Sequence, residues 1–286
     1  MKKSFVVVVG LVGYAYSSGC CAVAPTGKPV RFGDQSNLIV WNPDTHTEHF
    51  VRNAYFDANS PDFGFIAPTP SKPSLSTADE AAYELLYQLR PRPRPTRTGS
   101  KGGTATLSGS AKVVQHVFVG KYEATTLQSR SAKAISSYLK ANGYATNKDF
   151  EEWAGFYAKK GWMLTAFKVR NNAVIGPSQT GIIRMSFKTD KPFNPYYVPK
   201  NNGSNNPWAK LQILFVSDAQ YQARVGSSNA PWSNFSWVAK VPQATSKGLS
   251  QKLKIKESDI PSNAVVTCYE QNGWLNGAKD DLYFHR

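Results

Sequence analysis

Cysteine is scarce in this chain, with three among 286 residues: Cys20, Cys21 and Cys268. That number excludes a small disulfide-stapled scaffold and the repeated cysteine pairs of a zinc ribbon. Histidine numbers four, and none of the four falls in the two-histidine helical spacing of a zinc protease. No Gly-x-Ser-x-Gly elbow and no glycine-rich phosphate loop occurs, so Asp62-Phe63-Gly64 matches a kinase tripeptide by letters alone. Acidic side chains are also few. Nineteen Asp and Glu face 34 Lys and Arg, a formal charge of +15. Beyond the first sixteen residues no segment approaches the eighteen consecutive apolar residues of a membrane-crossing helix.

What is present begins at Met1. Lys2 and Lys3 precede an apolar stretch from Phe5 to Tyr16, and Ser17-Ser18-Gly19 then supplies small side chains before Cys20. This order predicts a secretory signal peptide over 1–19. Twelve apolar residues make a helix of about 18 Å, against about 30 Å of hydrocarbon, so an uncleaved span is disfavoured. Removing Lys2 and Lys3 from the +15 leaves +13 on the mature chain. The expected location is extracytoplasmic: periplasm, cell envelope or medium. The polyanions there are lipid headgroups and acidic envelope polymers, each nearby Lys or Arg contributing about 1 kcal/mol at an anionic surface. In such an oxidising compartment a bridge from Cys20 or Cys21 to Cys268 is expected, since adjacent cysteines pair with each other only under strain. A lipid on Cys20 would leave Cys21 and Cys268 as the bridge. Ser17, however, stands where lipoprotein signals usually carry leucine.

Apolar content of 41%, with seven Trp, fourteen Tyr and fifteen Phe, indicates a globular chain. Leu38 to Trp41, the turn Asn42-Pro43-Asp44 and alternation from His49 to Phe56 predict a hairpin. Phe63 to Ala67 predicts a further strand, and Thr77 with Glu80 a capping box opening a helix to Leu89. Arg90-Pro91-Arg92-Pro93-Arg94-Pro95 and the Gly/Ser/Thr-rich run after it read as an exposed basic linker. Arg90, Arg92, Arg94, Arg97 and Lys101 make that linker a candidate anion-binding arm. Beyond it, strands are expected at Val113–Val119, Tyr122–Leu127, Trp162–Val169, Gly181–Lys188, Leu211–Ser217 and Val265–Tyr269, with helices at Ser131–Asn142 and Asp149–Lys160. A faint echo relates the arginine-bearing strands at Phe50–Phe56 and Ile182–Phe187. The division expected is 1–19 leader, 20–90 N-terminal αβ lobe, 91–112 linker and 113–286 C-terminal α+β lobe. The fold class is α+β, with mixed, largely antiparallel sheets packed against a few helices.

Candidate chemistry is thin. Asp44, His46, Glu48 and His49 are the densest set of metal-ligand types, but on a strand His46 and Glu48 share a face and His49 takes the other. Trp208, Trp232, Phe235 and Trp237 sit among Asn, Ser and Pro, a composition shared by sugar-contacting loops and buried strand ends. No catalytic, cofactor or metal residue is assigned.

Glu48-His49-Phe50-Val51-Arg52, then Asp62-Phe63-Gly64-Phe65-Ile66-Ala67-Pro68-Thr69-Pro70, resembles a bacterial family of exported proteins known as a domain of unknown function. Tyr138-Leu139-Lys140-Ala141-Asn142-Gly143-Tyr144 and Tyr157-Ala158-Lys159-Lys160-Gly161-Trp162 are similar to its second block. The resemblance runs from about Cys20 to Ser217. It implies export, early cysteines and a shared fold, and it carries over no catalytic residue. Members often end in a paired-cysteine motif, whereas this chain has Cys268 alone. The leading expectation is a non-enzymatic envelope protein that binds or scaffolds, with an anionic envelope surface or a protein as partner and neither nucleic acid nor cofactor. One alternative is a hydrolase of envelope polymers in which His49 or His116 meets a carboxylate. Another is a metal or cofactor carrier using His46, His49 and the cysteines.

Overall fold

The computed structural model describes residues 15–17, 19–28, 30–58, 62–91, 111–169, 178–179, 181–199, 210–273 and 278–286. Two sheets stack face to face. The first runs β1 (Ala15–Ser17), β2 (Cys20–Val23), β5 (Gly64–Thr69), β9 (Met163–Val169), β8 (Tyr122–Ser129), β7 (Ala111–Val119). The second runs β15 (Phe235–Lys240), β16 (Val265–Asn272), β13 (Lys210–Ser217), β3 (Val30–Asn42), β4 (Thr47–Ala58), β11 (Ile183–Lys188), β6 (Ser74–Thr77), and β10 (Ser178–Gln179) also pairs with β4. A small third sheet, β12 (Phe193–Asn194), β17 (Leu282–His285), β14 (Gln222–Val225), adds to the same core. Among the described strands β13 and β3 pair in parallel and the other pairs are antiparallel. The fold is α+β.

Helices cover the outer face of each sheet. Helices α2 (Ala132–Ala141) and α3 (Lys148–Lys159) lay Ile135, Leu139, Phe150 and Trp153 on Ile66, Leu127 and Leu164 of the first sheet. Helices α1 (Ala81–Tyr87) and α4 (Gln243–Leu253) lay Tyr83, Leu86, Leu249 and Leu253 on Leu38, Val40, Val51, Leu214 and Val266 of the second. Between the sheets lies the aromatic core, where Phe65 stacks on Phe167 with ring centroids 4.7 Å apart. The result is four layers, helix, sheet, sheet, helix. Strand alternation explains why Leu38-Ile39-Val40-Trp41 reads as an unbroken apolar run: Ile39 and Trp41 face the central core, Leu38 and Val40 the helices.

This architecture corrects the expectation of two lobes at 20–90 and 113–286. Strands from both sides of the basic segment interleave in both large sheets: β2 and β5 with β9 and β8, and β3, β4 and β6 with β13 and β11. The two echoing segments are likewise neighbours in one sheet, Arg52 lying opposite Ile183.

It also corrects the expected bridge. All three thiols are free and buried. Alternation along β2 sends Cys20 into the central core and Cys21 toward α2 and α3, while Cys268 faces α1 and α4. Two sheets packed about 10 Å apart therefore stand between Cys21 and Cys268, beyond the reach of a disulfide. Cys20 is fully buried. Burial pushes its thiol up to about 11, opposed by the nearby Arg52 charge. Residues 1–14 of the predicted leader lie outside the described residues, and 15–17 form β1 against β2. Gly19 adopts φ +63°, and a side chain there would meet the Pro195 carbonyl carbon at 2.1 Å.

Candidate binding groove

An open groove of about 490 Å³ lies where five segments meet: His46 at the β3–β4 turn, Pro70 after β5, Trp162 before β9, Lys188 to Lys191 after β11, and Tyr283 on β17. The turn that sets its rim is built by Asn42, whose Oδ1 accepts from the backbone N–H groups of Asp44 (3.0 Å) and Thr45 (3.2 Å). The chain reverses through His46 at φ 50°, and the His46 carbonyl accepts from the N–H of Thr189 (3.1 Å). Lys188 donates to the Thr45 carbonyl and to Thr47 Oγ1 (2.8 Å), holding one cation at the rim. Ser71 ties the β5 side to the same strand end, its Oγ donating to the Lys188 carbonyl at 2.7 Å.

The aromatic wall rests on an ion cluster around buried Asp281. Gly161, at φ +73°, ends α3 and turns Trp162 onto Phe193 in a T-shaped contact at 4.6 Å. Lys160 lies behind it, 4.0 Å from the Phe156 ring centroid, 4.9 Å from Trp162 and 5.5 Å from Tyr283. Its ammonium donates to Asp280 (3.0 Å), to buried Asp281 (3.1 Å) and to the Tyr283 hydroxyl (3.0 Å). Burial alone would lower the Lys160 pKa, but Asp281 and these bonds raise it above the ordinary lysine value. Asp281 also accepts from Tyr157 Oη (2.7 Å) and from the N–H groups of Tyr196 (2.9 Å) and Tyr197 (3.2 Å). This fully partnered pair of half-buried Lys160 and buried Asp281 fixes Trp162 and Tyr283 in place.

The four metal-ligand types at Asp44 to His49 diverge. Glu48 is fully buried, its Oε2 accepting from the N–H of Phe193 (2.9 Å), and burial raises its carboxyl well above the usual range. His49 is buried on the opposite face of β4, and His46 lines the groove. His46 leaves the face it was expected to share with Glu48 because it belongs to the turn. No group of three metal-ligating side chains occurs among the described residues. The cysteines occupy three separate cores, so the carrier reading finds no convergent set. Trp232 and Trp237 are buried, Phe235 is half exposed, and Trp208 lies outside the described residues.

Of the basic arm, Arg90 is described: its Nη2 lies 3.4 Å from Glu270. Arg92, Arg94, Arg97 and Lys101 lie outside the described residues. The hydrolase alternative asks for a deep cleft in which His49 or His116 meets a carboxylate, and neither histidine lines the groove. His116 Nε2 is 2.8 Å from Glu123 on the exposed β7–β8 hairpin, and His49 Nε2 is 3.5 Å from Asp259. Sequence reading missed Trp162, Lys188, Lys191 and Tyr283 as site residues, because a groove assembled from five distant segments leaves no local pattern. No helix among the described residues is long and apolar enough to cross a membrane.

Residues 14–253 match the family described as uncharacterized protein conserved in bacteria, DUF2330. The chain belongs to that family. No curated protein matches it.

Proposed function

We propose that this chain is an exported binding protein of the bacterial cell envelope that holds a stretch of acidic, sugar-containing polymer in the groove. The observation that carries this reading is the joining of two half-buried rings, Trp162 and Tyr283, with Lys188 and Lys191 along one open surface. Ring faces stack on the apolar faces of sugars, and the ammonium groups pair with acid groups spaced along a chain. Asp190 is the single carboxylate among the lining residues. The +13 that remains on the chain without Lys2 and Lys3 draws such a polymer toward the protein from a distance. Export rests on the leader read from Lys2 to Gly19, and the arm from Arg90 to Arg97 adds a second contact for an anionic surface.

Calorimetric titration of the purified full chain with acidic oligosaccharides, beside neutral ones of equal length, tests the reading. Acidic oligomers should bind, with affinity falling as salt shortens the Debye length from about 10 Å at 0.1 M toward about 3 Å at 1 M. Lys191→Glu should weaken binding at least about tenfold, the equivalent of about 1.4 kcal/mol. Replacing Arg90 to Arg97 with a neutral segment should reduce retention on anionic vesicles at low salt. Equal affinity for neutral and acidic oligomers, or indifference to Lys191→Glu, overturns the groove assignment.

A further inference from the structure

On the helix-covered side of the second sheet, at the end nearest the groove, three residues from distant segments meet. His49 on β4 and Ser186 on β11 are directly opposed in register, and His49 Nδ1 lies 2.8 Å from Ser186 Oγ. The other ring nitrogen, Nε2, faces Oδ2 of Asp259 at 3.5 Å, an ion-pair distance, and has no hydrogen-bond partner among the described residues. Asp259 closes a short 3-10 turn (Glu257–Asp259), and its Oδ2 also accepts from the N–H of Lys256 at 3.0 Å. That turn is pinned to the β3–β4 hairpin by Asn42, whose Nδ2 donates to the Ser258 carbonyl (3.1 Å).

The tautomer follows from what each partner can do. An ionised carboxylate accepts and cannot donate, so the negative charge of Asp259 favours the ring proton on the Nε2 side. Nδ1 then carries the lone pair and accepts the Ser186 hydroxyl proton. Burial holds His49 neutral, its pKa brought down to about 4; Asp259 opposes this, while the Arg184 and Lys188 charges add to it. The base is therefore in its proton-accepting form at neutral pH. His49 is 5% exposed and hydrogen-bonded on its Ser186 side, while Ser186 and Asp259 are both half buried.

Two cations flank that hydroxyl. Arg184 and Lys188 lie two residues to either side of Ser186 on β11 and so share its face, each about 7 Å along the strand. Arg184 is anchored by Nη1, which donates to the Leu253 (2.6 Å) and Lys254 carbonyls, while its buried Nε has no hydrogen-bond partner among the described residues. Positive charge placed there favours an acyl substrate that is itself anionic and opposes no oxyanion that forms on it.

We propose that Ser186, His49 and Asp259 form an acyl-transfer centre for carboxylic esters that carry negative charge. Ser186 Oγ attacks the ester carbonyl carbon as its proton passes to His49 Nδ1. The bond from that carbon to the alcohol oxygen breaks, and the departing alkoxide takes the proton from His49. Water then repeats the sequence, giving its proton to His49 and releasing the acid, while Ser186 Oγ recovers that proton. Asp259 acts as a positioning residue whose charge favours the Nε2–H tautomer. The groove reading needs none of these three residues, and either assignment can fail without the other.

The test is covalent labelling of the purified full chain with a fluorophosphonate probe, which loses fluoride to a nucleophilic serine, followed by peptide mass spectrometry. A single adduct on Ser186 is expected, with hydrolysis of p-nitrophenyl succinate measured in parallel. Ser186→Ala and His49→Gln should abolish both signals. Asp259→Asn should slow both on the order of 100-fold or more, since it disturbs the tautomer and leaves the nucleophile in place. Ser186→Cys provides a check that does not depend on those variants folding: its alkylation by iodoacetamide should be fast, and slower when His49→Gln is added. Rates should hold level from pH 8 to pH 6, where His49 stays neutral. No adduct on Ser186 in the folded wild-type chain overturns the proposal, and so does labelling that His49→Gln leaves unchanged.

Discussion

Glu48 shows how a single side chain can be placed against its own charge. It alternates inward on β4, where the core offers its Oε2 the N–H of Phe193 at 2.9 Å and leaves Oε1 without a hydrogen-bond partner among the described residues. The carboxyl therefore holds its proton to higher pH in the folded state than in the unfolded chain. The stabilisation it supplies is present below the unfolded carboxylate pKa and is lost as pH rises toward the folded one. Glu48→Gln, a neutral isostere, should accordingly raise the melting temperature at pH 8 and leave it nearly unchanged at pH 4. A calorimetric scan at the two pH values checks this; an equal shift at both would mean that the carboxyl is not the cause. Nothing in the sequence marked Glu48 as neutral. Its position two residues after His46 suggested a shared strand face, but the turn ends after His46 and the alternation starts anew beyond it.

At the scale of elements, period-2 alternation was legible and helix ends less so. The hairpin of β3 and β4, strand β5, and helices α2 and α3 follow the expected pattern, with Ser131 and Asn147 accepting from Ala134 and Phe150 as N-caps. The helix expected from Thr77 begins at Ala81 instead, because Thr77 pairs with Ile183 as the end of β6. Asp79 Oδ1 then takes the Ala81 N–H at 3.0 Å in place of a capping box. Helix α4 escaped notice because its sequence is mostly polar; Leu249 and Leu253 suffice to seat it on the second sheet. The same alternation decides the cysteines, sending Cys20 and Cys21 to opposite faces of β2. The folded full chain should therefore react with a thiol reagent such as Ellman's only slowly at pH 8, and should release three thiols per chain after denaturation without reductant. A single thiol after denaturation would instead show that a bridge forms.

For the molecule as a whole, interleaving matters more than any one contact. Since β5 pairs with β9, β4 with β11, and β3 with β13, the stretches before and after the basic segment complete each other's sheets. A protease site engineered between residues 92 and 110, once cut, should leave the two fragments co-eluting in size exclusion and separating in denaturant. Separation under native conditions would restore the two-lobe division. A change in composition is not by itself a boundary between cores.

The sequence by itself determined the fold class, most of the strands, helices α2 and α3, the basic excess and membership of the family, because each is written in local spacing or in composition. Only the tertiary structure decided which strands adjoin, that the thiols lie in separate layers, and that His46, Trp162, Lys188, Lys191 and Tyr283 share a groove while Ser186, His49 and Asp259 share a contact. Those sites join residues far apart along the chain, and the proximity comes from sheet order and register, which no local pattern encodes.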